Sequence, residues 1–172
     1  IRDNPLDVAH FGKPVTLKIY DRLEIAAGSS RYQIVEQPIF KTTNPVYPSR
    51  RGDIMLLING MPVYHIELKK RGVDLREAFN QIERYQRDSF WAGSGLYNYV
   101  QIFVISNGTL TKYYSNTTRE FHINNQKKKK SNSFEFTSYW ADQKNNGITD
   151  LIDFAKTFFT KHTLLNILTK YC

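Results

Sequence analysis

The sequence predicts an α/β domain, a central mixed β-sheet flanked by helices, and three segments carry that prediction. The first is a pair of apolar runs, Asp53-Ile54-Met55-Leu56-Leu57-Ile58 and Val63-Tyr64-His65-Ile66-Glu67-Leu68-Lys69, joined through Asn59-Gly60. Asn and Gly tolerate the positive φ that tight hairpins demand, so the pair reads as a hairpin. Both runs are apolar at nearly every position, which predicts central strands covered on both faces. The second is a helix: Leu75, Ala78, Phe79, Ile82 and Tyr85 recur at helical spacing behind Asp74 and Glu77, the two residues of a capping box. Its stripe runs through about residue 89. The third is another apolar strand, Tyr99–Ser106, turned at Asn107-Gly108 into Leu110–Tyr114.

The remaining elements follow in chain order. Val15, Leu17 and Ile19 alternate as in a strand, and Tyr32–Val35 with Pro38–Phe40 reads as a strand broken by proline. Asn44-Pro45-Val46-Tyr47-Pro48 reads as a loop. Downstream, the polar stretch containing Lys127-Lys128-Lys129-Lys130 reads as an exposed loop, and Phe134 and Phe136 alternate as in a short strand. Trp140 is a candidate anchor, and Ile148–Phe159 and His162–Tyr171 read as two helices. The expected organisation is a single domain over 1–172, with a core at about 15–140 and a helical extension over 148–172.

The bulk properties exclude several classes. A chain of 172 residues with 41% hydrophobic and 14% aromatic residues buries a real core and is no disordered tail. The net charge of +8 favours a polyanionic partner, nucleic acid or an acidic membrane. The longest aliphatic run, Ile54–Ile58, is far too short to cross a bilayer. Arg2, Asp3 and Asp7 interrupt the amino terminus before any secretory apolar region forms. Cys172 is the only cysteine, so there is neither a disulfide framework nor a thiolate metal cluster, and a cytoplasmic compartment is expected. The chain begins at Ile1 and ends in a helical pattern, which suggests a piece of a longer polypeptide.

Chemistry concentrates on Asp53, Glu67 and Lys69, an acid followed after thirteen residues by Glu, one residue and Lys. Asp142-Gln143-Lys144 repeats the acid-x-Lys spacing, but in polar sequence with no strand expected around it. Glu67 instead lies inside a buried strand, where a lone ionised carboxylate is expensive. Alternation along the strand places Glu67 and Lys69 on one face. A three-residue loop at 59–61 sets Ile58 against Pro62 and Asp53 against Glu67, with Cβ atoms about 5 Å apart. A two-residue loop shifts the register by one and separates them. Two carboxylates so close repel unless a cation lies between them or one is protonated. With the backbone carbonyl of Leu68 they offer hard oxygen ligands to Mg²⁺. Such an ion acidifies water and offsets charge developing on a scissile phosphate. Lys69 would orient or deprotonate that water and stabilise the pentacovalent phosphorus. An ion pair of Glu67 with Lys69 at a strand end, with Asp53 merely opening its strand, accounts for the same residues without chemistry.

At these residues the sequence resembles a known family. Arg51-Gly52-Asp53-Ile54-Met55-Leu56-Leu57-Ile58-Asn59-Gly60-Met61-Pro62-Val63, followed by Ile66-Glu67-Leu68-Lys69, is similar to the nuclease domain of the motor (R) subunit of type I restriction enzymes, within the PD-(D/E)xK nucleases. Gln81-Ile82-Glu83-Arg84-Tyr85 is similar to that family's Gln-three-residues-Tyr motif on the helix after the active strands. Tyr32–Gln37 resembles its strand before the catalytic aspartate, Val104–Gly108 its later hairpin, and Trp140 a recurrent tryptophan, so the likeness covers about residues 32–140.

The resemblance implies a restriction-endonuclease-like core and a Mg²⁺-dependent endonuclease, a type I site-specific deoxyribonuclease. It implies Asp53, Glu67 and Lys69 as catalytic residues, and Asp53, Glu67 and the Leu68 carbonyl as metal ligands. Gln81 and Tyr85 become accessory residues, through DNA contact or support of the active site. The longer subunit is expected to add an ATP-driven translocase, with methyltransferase and specificity subunits as partners beside DNA and no membrane. No Gly-x-x-x-x-Gly-Lys-Ser/Thr loop occurs here, so ATP belongs to the absent motor region. Gly52 stands where the superfamily often has proline, and the early acidic residue of such enzymes has only Asp7, Asp21 and Glu24 as candidates. Two other readings are a different PD-(D/E)xK nuclease, repairing DNA or resolving junctions, and a non-catalytic DNA-binding module that retains the fold.

Arg50, Arg51, Lys70, Arg71, Arg84 and Arg87 flank the proposed centre and are candidates to line a DNA groove. Lys127–Lys130 either contacts phosphate or is a solvated loop. His65 shares a face with Glu67 and reads as a buried structural histidine, while His10, His122 and His162 are too scattered for a zinc site.

Overall fold

The computed structural model describes residues 30–40, 46, 49–86, 96–125 and 133–171, together with two short strands at 3–4 and 15–16. Those two, β1 (Asp3–Asn4) and β2 (Val15–Thr16), pair antiparallel. Leu17, Ile19, Arg87, Lys127–Lys130, His10, Asp7, Asp21 and Glu24 lie outside the described residues. The central sheet has five strands: β3 (Tyr32–Glu36), β6 (Ile54–Ile58), β7 (Met61–Leu68), β8 (Ile102–Ser106) and β9 (Thr111–Ser115), in the order β3-β6-β7-β8-β9. It is mixed, because β7 and β8 run parallel while the other neighbours are antiparallel. Helix α1 (Leu75–Tyr85) makes the crossover that a parallel pair requires. The short pair β4 (Ile39–Phe40) and β5 (Arg50–Arg51) extends the β3–β6 edge.

The β6–β7 hairpin corrects one expectation and rescues its consequence. Asn59 (φ 51°) and Gly60 (φ 83°) form a two-residue turn, so Ile58 pairs with Met61 and not with Pro62. Positive φ at both central positions is the signature of the tight turn whose twist matches the strands. Alone, that turn would move Asp53 out of line with Glu67. However, Leu57 pairs with Pro62 and Leu56 with Tyr64, which leaves Val63 as an extra residue on β7. Pro62, with no N–H to give, sits at this bulge, where a proline is tolerated inside a sheet. The bulge restores the lost step: Ile54 pairs with Ile66, the register a three-residue loop would have given, with Asp53 the residue before that pair on one strand and Glu67 the residue after it on the other.

Strict alternation divides the apolar residues between two cores. Met55, Phe103, Ile105 and Tyr114 face α1, which buries Leu75, Ala78, Phe79, Ile82 and Tyr85 on them. Leu56, Ile58, Tyr64, Ile66, Ile102 and Val104 face helices α3 (Leu151–Phe158) and α4 (Lys161–Lys170). Phe154, Phe158, Leu164, Leu165 and Leu168 fill that second layer, and the Tyr64 hydroxyl donates to the Leu164 carbonyl at 2.8 Å. The carboxy-terminal helices expected as an extension therefore cover one face of the sheet and complete the second of the two cores. Central strands apolar on both faces require this, since each face needs its own cover.

Capping sets the helix starts. The Asp74 carboxylate accepts from Arg76 N at 2.9 Å, and Asp150 accepts from Ile152 N at 2.8 Å. The latter starts α3 at Leu151 and not at Ile148, which pairs instead in a small hairpin of β10 (Trp140–Ala141) and β11 (Gly147–Ile148). Three further expectations change. Phe134 and Phe136 lie in a 3₁₀ turn, Ser133–Phe136, and not in a strand; Thr137 Oγ1 closes it by donating to the Phe134 carbonyl at 2.7 Å. The strand expected from Tyr99 begins at Ile102, after a 3₁₀ turn at Leu96–Tyr99. A helix unforeseen in the polar stretch, α2 (Asn116–Asn125), has little apolar stripe to reveal it and opens where Ser115 Oγ accepts from Thr118 N at 3.0 Å. Among the described residues, no helix is long and apolar enough to cross a membrane.

Candidate active site

Asp53 sits just before β6, at a crossing of three chain segments. Its carbonyl accepts from Gln37 N at 2.7 Å, and Gly52 N donates to Pro38 O at 3.0 Å, so the end of β3 holds its backbone. Its carboxylate reaches the other way, with Oδ2 accepting from Leu68 N at 2.7 Å. In an extended strand the N–H and C=O of one residue point to the same side. The Leu68 carbonyl therefore faces the edge on which Asp53 lies.

Glu67 is completely buried. Its Oε2 lies 3.2 Å from His65 Nε2, and its Oε1 lies 3.6 Å from Lys69 Nζ and 3.5 Å from the Tyr85 hydroxyl. Donors and a cation on both oxygens are what a buried carboxylate needs. Lys69 follows the end of β7, where its N–H donates to Ser106 O at 2.8 Å and keeps the strand direction. Alternation then puts its ammonium beside Glu67, as the sequence predicts.

Helix α1 ties these groups together from above. Lys69 Nζ donates to Gln81 Oε1, Gln81 Nε2 donates to the Tyr85 hydroxyl, and that hydroxyl donates to Arg51 O at 2.6 Å. Gln81 and Tyr85 are one helical turn apart, so both reach the same side. The chain of donors starts at the lysine and ends two residues before Asp53. Burial pushes the Tyr85 pKa up to about 12, helped by the charges of Glu67 and Asp53 and opposed by the Gln81 bond. The phenol is therefore a neutral donor throughout the ordinary pH range.

A cleft of about 420 Å³ opens on this edge, lined by Glu36, Gln37, Asp53, Ile54, Leu68, Lys69 and Lys70. The structure thus brings Asp53, Glu67, Lys69, Gln81, Tyr85 and the Leu68 backbone to one place. Glu36 and Gln37 were unforeseen as cleft residues, because their place depends on β3 pairing with β6. His65, expected as structural, touches Glu67 directly. Asp53, Glu67 and the Leu68 carbonyl offer oxygens of the kind a hard divalent cation takes; of these residues Asp53 and Leu68 line the cleft, while Glu67 is fully buried. No group of three or more His, Cys, Asp or Glu suited to holding a metal occurs among the described residues.

The other candidates separate clearly. Arg51, Lys70, Arg71 and Arg84 are exposed, Arg50 is half-buried, and Lys70 borders the cleft. Asp142, expected away from any strand, lies in the turn between β10 and β11. It accepts from Asn146 Nδ2 at 2.9 Å, Asn146 N at 2.8 Å and Lys144 N at 2.9 Å, and these bonds, led by the Asn146 side chain, lower its pKa. It is a turn former. Trp140 anchors the far layer, with its ring 5.1 Å from that of Phe158 and Nε1 donating to Thr157 Oγ1 at 3.1 Å. His162 bonds Asn166 within α4.

Known proteins share this sequence pattern. A type I restriction enzyme EcoprrI endonuclease subunit from Escherichia coli is 53% identical over 123 residues, covering 72% of this chain and 36% of that protein. The SauCOLORF180P endonuclease subunit from Staphylococcus aureus (strain COL) is 37% identical over 142 residues, covering 83% of this chain and 13% of that protein. A putative MjaIXP endonuclease subunit from Methanocaldococcus jannaschii is 38% identical over 71 residues, 40% of this chain and 6% of that protein. The chain thus spans only 36% and 13% of the lengths of the first two relatives. Residues 7–122 match the family described as type I restriction enzyme R protein N terminus. That match runs from before β2 into α2 and takes in every residue of the candidate site, and the chain belongs to this family.

Proposed function

We propose that this domain is the Mg²⁺-dependent DNA endonuclease of a type I restriction enzyme R subunit, with Asp53, Glu67 and Lys69 as its catalytic residues. The observation that carries the reading is a fully buried Glu67 with Lys69 Nζ 3.6 Å away, on a strand whose bulged register pairs Ile66, the residue before Glu67, with Ile54, the residue after Asp53. A fully buried acid beside an amine is an expensive arrangement for a structural strand end. It is an economical one for handling phosphate. The alternative nucleases of the superfamily lose ground to the family match, which is specific to R subunits.

Asp53, Glu67 and the Leu68 carbonyl are the groups that would hold the ion, and their hard oxygens suit Mg²⁺. The ion supplies an acidified water and a counter-charge for the scissile phosphate. Lys69 faces the same cleft and orients the attacking water, while its charge stabilises the phosphorus as it becomes pentacovalent. Gln81 holds the lysine ammonium through Oε1, and Tyr85 holds Gln81. Tyr85 is 3% exposed, which favours support of the site over contact with DNA. Lys70, at the cleft, and the exposed Arg51, Arg71 and Arg84 would neutralise phosphates of the bound DNA. The complete subunit would add ATP-driven translocation and assemble with methyltransferase and specificity subunits in the cytoplasm.

The test uses the assembled enzyme with Asp53→Ala and Lys69→Ala, assayed for plasmid cleavage, DNA binding and ATP-driven translocation. Cleavage is expected to vanish while the other two persist. Normal cutting by both variants overturns the reading.

A further inference from the structure

Glu67 is aimed by a residue that the catalytic assignment leaves unused. His65 is completely buried, two positions before Glu67 on the same face, and its Nε2 lies 3.2 Å from Glu67 Oε2. An ionised carboxylate can only accept, so this nitrogen carries the proton. Lys69 and Tyr85 address the other oxygen, Oε1. With each oxygen held by a different group, the carboxylate plane is set.

The same ring also meets the segment that carries Asp53. Gly52 is buried, and a Cβ placed on it would lie 2.6 Å from His65 Cε1 and 3.0 Å from Phe40 Cε2 and Cζ. Backbone and imidazole are therefore in contact with no room for a side chain. Phe40, Tyr85 and Phe103 surround the ring at centroid distances of 5.8, 6.0 and 6.2 Å, so it moves only by pushing on them or on Glu67. In a close-packed interior such a rigid ring transmits position from one neighbour to the next. It touches Glu67 on one side and the residue before Asp53 on the other.

We propose that His65, lodged against Gly52, is a positioning residue that sets the spacing of the Asp53 and Glu67 carboxylates and so their affinity for a divalent cation. The proposal rests on the metal-dependent reading of the site. It also explains the glycine at position 52, since any larger residue would displace the gauge.

The test is Mn²⁺ titration of the 172-residue chain by electron paramagnetic resonance, with thermal melting run on each variant. His65→Phe keeps a ring in the pocket and removes the donor, and is expected to weaken Mn²⁺ binding about 10- to 100-fold. His65→Gln keeps an N–H donor and is expected to recover most of that affinity, which a space-filling role would not predict. Gly52→Ala displaces the ring without removing its donor and is expected to weaken binding as well. In a His65→Ala background the 2.6 Å contact is gone and only the 3.0 Å contacts with Phe40 remain, so Gly52→Ala should add much less loss than it causes beside His65. Wild-type affinity in His65→Phe, with binding lost in Asp53→Ala, overturns the positioning role and leaves the catalytic reading intact. Wild-type affinity in both Asp53→Ala and Glu67→Ala overturns both. If His65→Phe fails to fold, Gly52→Ala decides: undiminished Mn²⁺ affinity with a shifted melting temperature overturns the proposal.

Discussion

The carboxylate of Asp53 accepts a 2.7 Å hydrogen bond from the backbone amide of Leu68, which joins the start of β6 to the end of β7. This side chain serves the fold through Oδ2 and, in the proposed function, the site through its charge, and substitution can separate the two. Asp53→Asn keeps an oxygen acceptor for Leu68 N, whereas Asp53→Ala leaves that amide without it. The alanine variant should lose about 1–2 kcal/mol of stability and the asparagine variant clearly less. Both should lose cleavage by ~10²-fold or more, because neither carries the charge. Denaturant unfolding beside plasmid linearisation checks this, and cutting by Asp53→Asn near the normal rate would show that the charge is dispensable.

Tyr85 couples stability to alkaline pH. Its folded pKa of about 12 lies above the ordinary phenol value of 10, so the unfolded chain releases the proton first. Its contribution is complete below pH 10 and disappears as the pH rises through about 12. Burial raises Tyr114 as well, so the wild type should weaken steeply above pH 10. Tyr85→Phe should be less stable at neutral pH by about 1 kcal/mol, because the Arg51 carbonyl loses its donor. It should also show a shallower alkaline decline. Urea midpoints at pH 8, 10 and 11 measure both, and parallel declines would remove Tyr85 from this role.

The Val63 bulge is one residue added to β7, so the partners beyond it depend on residue count and not on its side chain. Deleting Val63 while keeping the Asn59-Gly60 turn lets Tyr64 follow Pro62 and still pair with Leu56, so Glu67 and Lys69 keep their face and Mn²⁺ binding should survive. An alanine inserted between Tyr64 and His65 instead sends Glu67 and Lys69 towards the face occupied by Phe154 and Phe158, and Mn²⁺ binding should vanish as the melting temperature falls. Val63→Ala preserves the count and should keep Mn²⁺ binding, at a cost of about 2 kcal/mol in stability. Retained binding in the insertion variant would mean that the register does not set the site.

The second helical layer should prove indispensable to the fold. Phe158 is completely buried, with ring centroids 4.5 Å from Phe154 and 5.1 Å from both Tyr113 and Trp140. Phe158→Ala should cost about 3–5 kcal/mol, read from denaturant midpoints. A loss below ~1 kcal/mol would mark 151–170 as the appended extension that its sequence suggests.

Several features were legible in the residues because they depend on local chemistry. Asn59-Gly60 demanded a hairpin, Asp74 with its apolar stripe demanded a helix, and alternation put Glu67 and Lys69 on one face. The Phe134 and Phe136 turn was read wrongly for the complementary reason. Two apolar residues at i and i+2 fit a strand, and only the Thr137 bond to Phe134 decides for a turn. Helix α2 was missed because its sequence buries little and so carries no periodic stripe.

What the chain order alone determined is the hairpin that Asp53 precedes and Lys69 follows and the face that Glu67 and Lys69 share, since side-chain alternation and turn chemistry act over a few residues. Tertiary structure decided how these residues meet. The bulge at Val63, the approach of β3 that brings Glu36 and Gln37 to the cleft, the packing of His65 against Gly52, and the burial of the second sheet face by α3 and α4 all join residues distant in sequence. No local periodicity encodes such contacts, because they follow from filling one close-packed volume.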